Sequence, residues 1–600
     1  MSEYAEIPVA IPTTGHISLF RRLVRNPMGL VAMSFLALVA FVAVFGSFIA
    51  PHDPGTASLD LILSPPSSEH WLGADSAGRD VLSRLLVATQ VSVGAALVAL
   101  LVALAIGMVS GLLAGYYGGA FDGAASWFTA IVMALPAVTV LLAARAALGP
   151  SVWWSMAIFG VLLSPAFYRL VHTSVNAVRH ELFVDAARVS GLSDARIIGR
   201  HILSVVRAPI IIQSSIVLGI AIAVQSGLEF LGLGDLSVPT WGSMLNDGFV
   251  NIYRAPILML WPSLAIGLTS MALVLLANTA RDELERAAPS RKRRSGRPQA
   301  SIVPDAAAET IRHPDDARSE TRTGDVLLSV RDLVIGYDRE DGTRNTVVDG
   351  VTLDVRRGEV HGLIGESGSG KTQTAFAVLG LLPAGGRIAS GAVVFDGADL
   401  TGGRENAYQA IRGKRIGYVP QEPMSNLDPS FTIGSQLVEP MRVVLGLSRH
   451  EARERALGLL ERVGIPDPLR TYAAHPHQIS GGMAQRVLIA GAVSCDPELL
   501  IGDEPTTALD VTVQAEVLDL LRDLQEERNM GLLLITHNFG VVADLCDRVS
   551  VMQSGRIVES GPVRSIFARP RHDYTRALLG ATLDGCPARS PLAAVVEEAR

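Results

Sequence analysis

Residues 357–372 read RGEVHGLIGESGSGKT, and Gly365, Glu366, Ser367, Gly368, Ser369, Gly370, Lys371 and Thr372 within them have the makings of a phosphate cradle. Glycines let consecutive backbone N–H groups converge on phosphate oxygens, and a helix starting directly afterwards adds the partial positive charge of its N-terminus. Lys371 suits the β/γ phosphates, and the Thr372 hydroxyl suits Mg. Only three lysines stand against 48 arginines in the chain, so a lysine kept at this position carries extra weight. Farther on, Glu498-Leu499-Leu500-Ile501-Gly502-Asp503-Glu504 is an apolar run ending in two carboxylates. Asp503 suits a direct or outer-sphere Mg ligand, and Glu504 a base that orients and deprotonates an attacking water. Between the two lies HPHQISGGMAQR, in which Ser480 can cap a helix while Gly481 and Gly482 let its backbone approach a second anion.

These residues need a particular scaffold. The cradle requires a strand, here Val360–Ile364, running into the loop and then into a helix. The two carboxylates require a second buried strand. The back of the chain therefore reads as an α/β nucleotide-binding domain.

The front is different. Residues 1–290 contain 15 basic and 17 acidic residues, whereas residues 291–600 contain 36 and 41. The average of 49% hydrophobic and 18% charged residues over 600 thus hides a membrane-like half joined to a soluble one. A net charge of −7 gives no support to nucleic-acid binding. Cys495, Cys546 and Cys586 are widely spaced, which argues for a reducing compartment and against a cysteine-based metal site.

Six charge-free windows, 26–52, 85–121, 123–144, 146–168, 208–228 and 255–280, are each long enough for a crossing of about 20 residues. In the soluble half no such window exceeds 15 residues. The first apolar run, Met28–Ile49, is longer than a signal-peptide core and reads as a retained span. Arg21, Arg22 and Arg25 put the N-terminus in the cytoplasm. An even count of spans returns the chain there, which places segment 180–204 and everything after residue 286 inside.

Segment 180–204, HELFVDAARVSGLSDARIIGRHILS, is amphipathic rather than apolar. It resembles the coupling segment of ABC importer permeases, on the strength of Asp185, Ala186, Ala187, Gly191 and Ile202-Leu203. Asp185 stands for the usual Glu and Ser204 for the usual Pro. RNPMGLVAMSFL, HWLGADSAGRDVLSRLL and LEFLGLGDLSVPTWGSML resemble the dipeptide/oligopeptide/nickel permeases across residues 20–285. Over 326–582 the chain resembles the ATPases of the same importers, with Ser480-Gly481-Gly482 as the signature motif and HDYTRALL near the end. Ile479, Met483 and Ala484 depart from residues common at those places.

The resemblance implies further roles. Tyr337 would stack on adenine, and Gln421 would touch Mg and face the permease. His537 would contact the γ-phosphate, and Ala508-Leu509-Asp510 would form a loop between paired ATPase domains. It also implies an all-α six-span permease domain of the type I importer kind over residues 1–285 and an ABC ATPase domain over 326–582. Residues 286–325, with the basic cluster Arg291, Lys292, Arg293, Arg294 and Arg297, read as a disordered cytoplasmic linker, and 583–600 as a tail. The single thiol there, Cys586, cannot hold an iron–sulfur cluster that takes four.

The expectation is half of an ATP- and Mg-dependent importer of peptides in the cytoplasmic membrane. A second permease, a second ATPase domain and an extracytoplasmic binding protein would complete it. A homodimeric exporter, a membrane-tethered regulatory ATPase, and nickel or another solute as cargo are the alternatives.

Overall fold

The computed structural model describes residues 23–287 apart from 236–237, residues 311–312, and residues 325–580 apart from 339–343, 384, 402, 404, 507–508 and 510. The chain divides into two compact units, Met1–Arg179 with Ile202–Arg297, and His180–His201 with Pro298–Arg600. The segment 180–201 thus packs as part of the nucleotide-binding unit although it lies within the sequence of the membrane half.

In the first unit, Pro27–Ile49 opens at Asn26, whose side chain accepts from the Met28 amide, with Pro27 in the first turn where its missing N–H costs nothing. Val81–Tyr117 follows, 37 residues long and capped by Asp80. One face of this helix carries Ala88, Ser92, Ala95, Ala99, Ala103, Gly107, Gly111 and Gly115, all buried. Small residues at every third or fourth position let two backbones close together, which is how membrane helices gain packing. The partner is Val152–Val178. A Cβ on Gly107 would fall 2.3 Å from the Ser164 carbonyl oxygen, and one on Gly160 would fall 2.5 Å from that of Ala99.

Among the described residues, five helices are long and apolar enough to span a bilayer. A sixth crossing exists only if Gly119–Ala134 and Ala137–Leu148, bent by 85° to one another, count as one. The third expected span is therefore broken. The reason lies at Leu135-Pro136: proline removes an amide donor and pushes the residue before it out of the helical region. Leu203–Leu228 and Ile257–Ala287 complete the spans. Between them a π-turn at Glu229–Leu233 leads to Trp241–Val250, which begins in a Thr240/Ser243 capping box.

The second unit holds two sheets. Strands β1 (Ile311–Arg312), β4 (Val360–Ile364), β7 (Ile416–Val419), β8 (Leu499–Asp503), β9 (Gly531–Thr536), β10 (Arg548–Gln553) and β11 (Arg556–Pro562) lie in the order β1-β11-β10-β4-β9-β8-β7. Their centre is parallel, and β4, β8 and β9 are buried at every residue, as a sheet covered on both faces requires. Strands β2 (Val326–Asp338), β3 (Arg344–Arg356), β5 (Gly386–Phe395) and β6 (Ala398–Asp399) form an antiparallel sheet ordered β3-β2-β5-β6.

Most of the expected linker and all of 583–600 fall outside the described residues. Within the linker, however, Ile311–Arg312 pair in parallel with Glu559 and Ser560 on β11. A sheet edge offers unpaired backbone groups to an extended neighbour of this kind.

Candidate functional site

Strand β4 delivers the chain into the cradle, and the helix Lys371–Leu379 begins at the lysine. Gly368 and Gly370 have φ of +88° and +104°, where a side chain is strained. Gly365 is held still more tightly, since a Cβ there would fall 2.1 Å from the Met552 carbonyl oxygen on β10. The loop is thus shaped by its neighbours, with the Glu366 amide donating to Tyr574 Oη at 3.3 Å and the Ser369 amide to the Glu366 carbonyl at 3.2 Å. Lys371 Nζ donates to the carbonyls of Gly365 (2.7 Å) and Glu366 (2.8 Å), which fixes the ammonium at the cradle. Burial lowers the lysine's pKa, and the charges of Glu504 and Asp503 oppose that shift.

Two strands away, β8 ends at Asp503 and Glu504. Thr372 Oγ1 donates to Asp503 Oδ1 at 3.2 Å, so the two proposed Mg ligands meet across the sheet. Tyr418 Oη donates to Asp503 Oδ2 at 3.4 Å. Burial pushes the Asp503 carboxyl up to about 6, with the neighbouring Glu504 charge adding to the shift and the Thr372 bond opposing it.

Glu504 has φ of +49°. That conformation costs a non-glycine residue about 1–3 kcal/mol and persists where surroundings over-determine it. Here the Glu504 amide donates to the Ile535 carbonyl at 2.8 Å, tying the turn to β9. Gln421 Nε2 donates to one carboxylate oxygen at 2.9 Å, and His537 Nδ1 lies 3.1 Å from the other. The structure therefore brings Gln421, Glu504 and His537 into one cluster. It puts Gln421 on Glu504 rather than beside Thr372 and Asp503, where a role at Mg alone would have placed it.

Tyr337 stands beside the cradle helix, its hydroxyl donating to Gln373 Oε1 at 2.5 Å and its ring against Gly386. The signature segment is separate. Ser480 caps the helix Gly481–Ala492 by accepting from the Met483 amide at 3.3 Å, and no contact joins Ser480–Gly482 to the cradle among the described residues. Ala508 and Asp510 lie outside those residues.

The segment 180–201 sits on the same unit. Its helix Leu182–Val189 ends in a Schellman turn, with Gly191 N–H on the Arg188 carbonyl (3.0 Å) and Leu192 N–H on that of Ala187 (3.2 Å). Gly191 takes φ of +80°, and a Cβ on it would fall 2.7 Å from the Arg412 carbonyl oxygen. Gly413 answers from the other side, where a Cβ would lie 2.4 Å from Ser190. Phe183, Val184, Ala187 and Val189 are buried, and Asp185, which pairs with Arg188 at 3.2 Å, has its carboxyl pKa raised by burial.

Cations finish the joint. Arg196 and Arg200 reach Glu439 at 2.6 and 3.2 Å, His201 lies 2.8 Å from Asp428, and Arg200 stacks on Phe431 at 4.8 Å. Burial works against the Glu439 charge, yet its cationic partners hold the carboxyl below the usual range. Sequence reading missed Arg196, Arg200, His201, Gly413, Asp428 and Glu439. The three basic residues carried a signal in their spacing on one face, but their acidic partners lie more than 200 positions away.

It also passed over a pocket in the membrane unit lined by Arg145, Gln225 and Glu229 among apolar side chains. Arg145 and Glu229 are the charges that bound three of the apolar windows, and that was the available signal.

Comparison with known proteins now bears on this arrangement. Family models match at residues 348–507 (ABC transporter), 107–288 (binding-protein-dependent transport system inner membrane component) and 18–66 (N-terminal TM domain of oligopeptide transport permease C). A putative peptide import ATP-binding protein of Brucella melitensis is 52% identical over 238 residues, 39% of this chain and 70% of its own length. The dipeptide transport ATP-binding protein DppD of Escherichia coli is 44% identical over 255 residues, 42% of this chain and 78% of its own. A probable peptide ABC transporter ATP-binding protein of Sinorhizobium fredii is 47% identical over 262 residues, 43% and 78% respectively.

A phosphate-binding α/β cassette preceded by a binding-protein-dependent permease defines an ABC importer, and its cassette is an ATPase. The chain belongs to the ABC transporter family, on the dipeptide/oligopeptide importer branch, with permease and ATP-binding subunit fused in one polypeptide.

Proposed function

We propose that this chain imports di- or oligopeptides across the cytoplasmic membrane by hydrolysing ATP, as one fused permease–ATPase half of an ABC importer. The observation that carries the reading is Glu504, held in a left-handed turn between Gln421 and His537 and beside the Thr372–Asp503 pair. The residues fit a nucleotide and Mg: a glycine loop with no room for side chains behind it, a fixed ammonium, and a hydroxyl bonded to a buried carboxylate. Thr372 and Asp503 would hold Mg, which offsets phosphate charge when bound, while Gln421 bonds to Glu504. Gly365–Thr372 cradle the phosphates and Tyr337 stacks on the base. Glu504 accepts the proton of the attacking water, and His537 steadies the phosphate being transferred.

Ser480, Gly481 and Gly482 cap a nucleotide held by a partner ATPase domain, so a second cassette and a second permease complete the machine. An extracytoplasmic binding protein delivers the peptide. The N-terminus, segment 180–204 and the cassette lie in the cytoplasm. Closure of the paired cassettes moves Asp185, Ala186, Ala187 and Gly191, and with them the permease.

The test is reconstitution of the chain with its partner subunits in proteoliposomes. Peptide-loaded binding protein, supplied on the side opposite the cassette, should stimulate ATP hydrolysis and drive peptide accumulation on the cassette side. Stimulation by a nickel-loaded binding protein with none by peptides would replace the cargo. Hydrolysis that no binding protein changes would remove the importer reading.

A further inference from the structure

The loop between the first two membrane helices brings together two imidazoles and a carboxylate that the transport cycle above does not use. His52, His70 and Asp80 each place one ligand atom within 4.8 Å of the other two. His70 Nδ1 lies 3.0 Å from Asp80 Oδ1, and His52 Nδ1 lies 3.8 Å from Asp80 Oδ2. The two rings pack at 4.6 Å between centroids. Four-coordinate zinc, with bonds of about 2.0–2.2 Å, sets its ligand atoms roughly 3.4 Å apart, so both spacings need only small adjustments.

The group is held from behind. Asp80 is 2% exposed at its side chain and caps the helix Val81–Tyr117 by accepting from the Ser83 amide at 2.8 Å. Ser83 Oγ in turn accepts from the His52 backbone amide at 3.0 Å, which fixes that residue over the same helix end. The nearby cations are engaged elsewhere, since Arg79 and Arg84 both pair with Asp75, at 2.8 and 3.2 Å. Asp80 is left to the histidines. His52 Nδ1 is shielded from solvent and makes no hydrogen bond. A shielded, unpaired ring nitrogen costs free energy unless something binds it. Two protonated imidazoles packed together would repel, whereas two neutral ones sharing a cation with a carboxylate would not.

We propose that His52, His70 and Asp80 form a site for a divalent transition metal of the zinc class, with a fourth position left to water or a group from a partner. Two imidazoles and one carboxylate suit borderline cations of this kind and not calcium or magnesium, which take oxygen ligands. The metal staples the end of the first membrane helix to the start of the second.

The test uses the full chain, purified in detergent with a tag free of histidine. It is incubated with zinc, desalted, and its metal is counted by plasma mass spectrometry. The parent should retain one zinc per chain with micromolar or tighter affinity. His52→Ala and His70→Ala should each lose it, with affinity falling at least tenfold, while His450→Ala, at an exposed site, should keep it. Cobalt added to the unaltered parent should give the visible absorption of a four-coordinate nitrogen/oxygen site, a readout that needs no variant to fold. No retained zinc and no cobalt spectrum would overturn the proposal. So would zinc retained equally by the His52→Ala/His70→Ala double variant.

Discussion

Glu504→Gln keeps the size and hydrogen-bonding capacity of the side chain, so its bond to Gln421 can persist while the base is lost. General bases contribute about 10²–10⁴-fold, so hydrolysis should fall by at least a hundredfold with ATP still bound and the paired cassettes trapped closed. The measurement is turnover in the assembled importer with the partner's own base removed. Parent-like turnover there would reject Glu504 as the base. Lys371→Ala should behave differently and lose nucleotide binding itself, since its charge acts before any bond breaks. Asp503 adds a pH dependence. Its pKa is raised to about 6, chiefly by burial, so the folded protein favours the protonated form and Asp503's contribution to stability declines as pH rises from about 4 through 6. Mg requires the ionised form, so Mg-dependent nucleotide affinity should weaken as pH falls through about 6. Nucleotide titrations across that interval should show the trend in the parent and a flat, weaker response in Asp503→Asn.

The coupling segment makes its claims as an element. A Schellman turn at Gly191 lets the chain reverse while Gly413 leaves space for Ser190, so two backbones meet where any side chain would part them. Gly191→Pro removes the amide that closes the turn, and Gly191→Val wedges the joint open. Transport should drop at least tenfold in both, equivalent to ~1.4 kcal/mol of lost coupling, while basal ATP hydrolysis stays near that of the parent. Glu439→Gln should act in the same direction, because Arg196, Arg200 and His201 all converge on that carboxylate. Arg196 and Arg200 are partly exposed and screened, so the effect should be milder than at Gly191. Uptake and hydrolysis measured side by side check both expectations. Unimpaired uptake in Gly191→Pro would remove the segment from its role.

For the whole molecule the prediction concerns sidedness. Ser67, in the first loop, and Ser193, in the coupling segment, are both exposed. In a background without native cysteines, an impermeant thiol reagent applied outside intact cells should label Ser67→Cys and not Ser193→Cys. Labelling of Ser193→Cys from outside would invert the topology. The broken third span bears on the same question, since a pair of helices bent by 85° changes the count of crossings if it is re-entrant. A cysteine at Gly149, just beyond the pair, distinguishes the two by the side from which it reacts.

Local order was legible in the residues. The cradle, the acidic end of β8, the serine-capped signature helix and the apolar windows are contiguous stretches whose chemistry follows from neighbours along the chain. Gly191 declared a helix end because only glycine takes its backbone angle without strain. Pro136 was equally visible and was read past, because an uncharged window hides a bend that changes no composition. Tertiary structure decided what lies together across distance. It set Gln421 and His537 on the two oxygens of Glu504, from segments 83 and 33 residues away. It gave Glu439 its three cations, and it moved segment 180–201 from the membrane half to the cassette. The physical reason is the same in each case. A carboxylate's partner is fixed by where the sheet and helices place it, and sequence pattern records a residue's neighbours along the chain but not those across the fold.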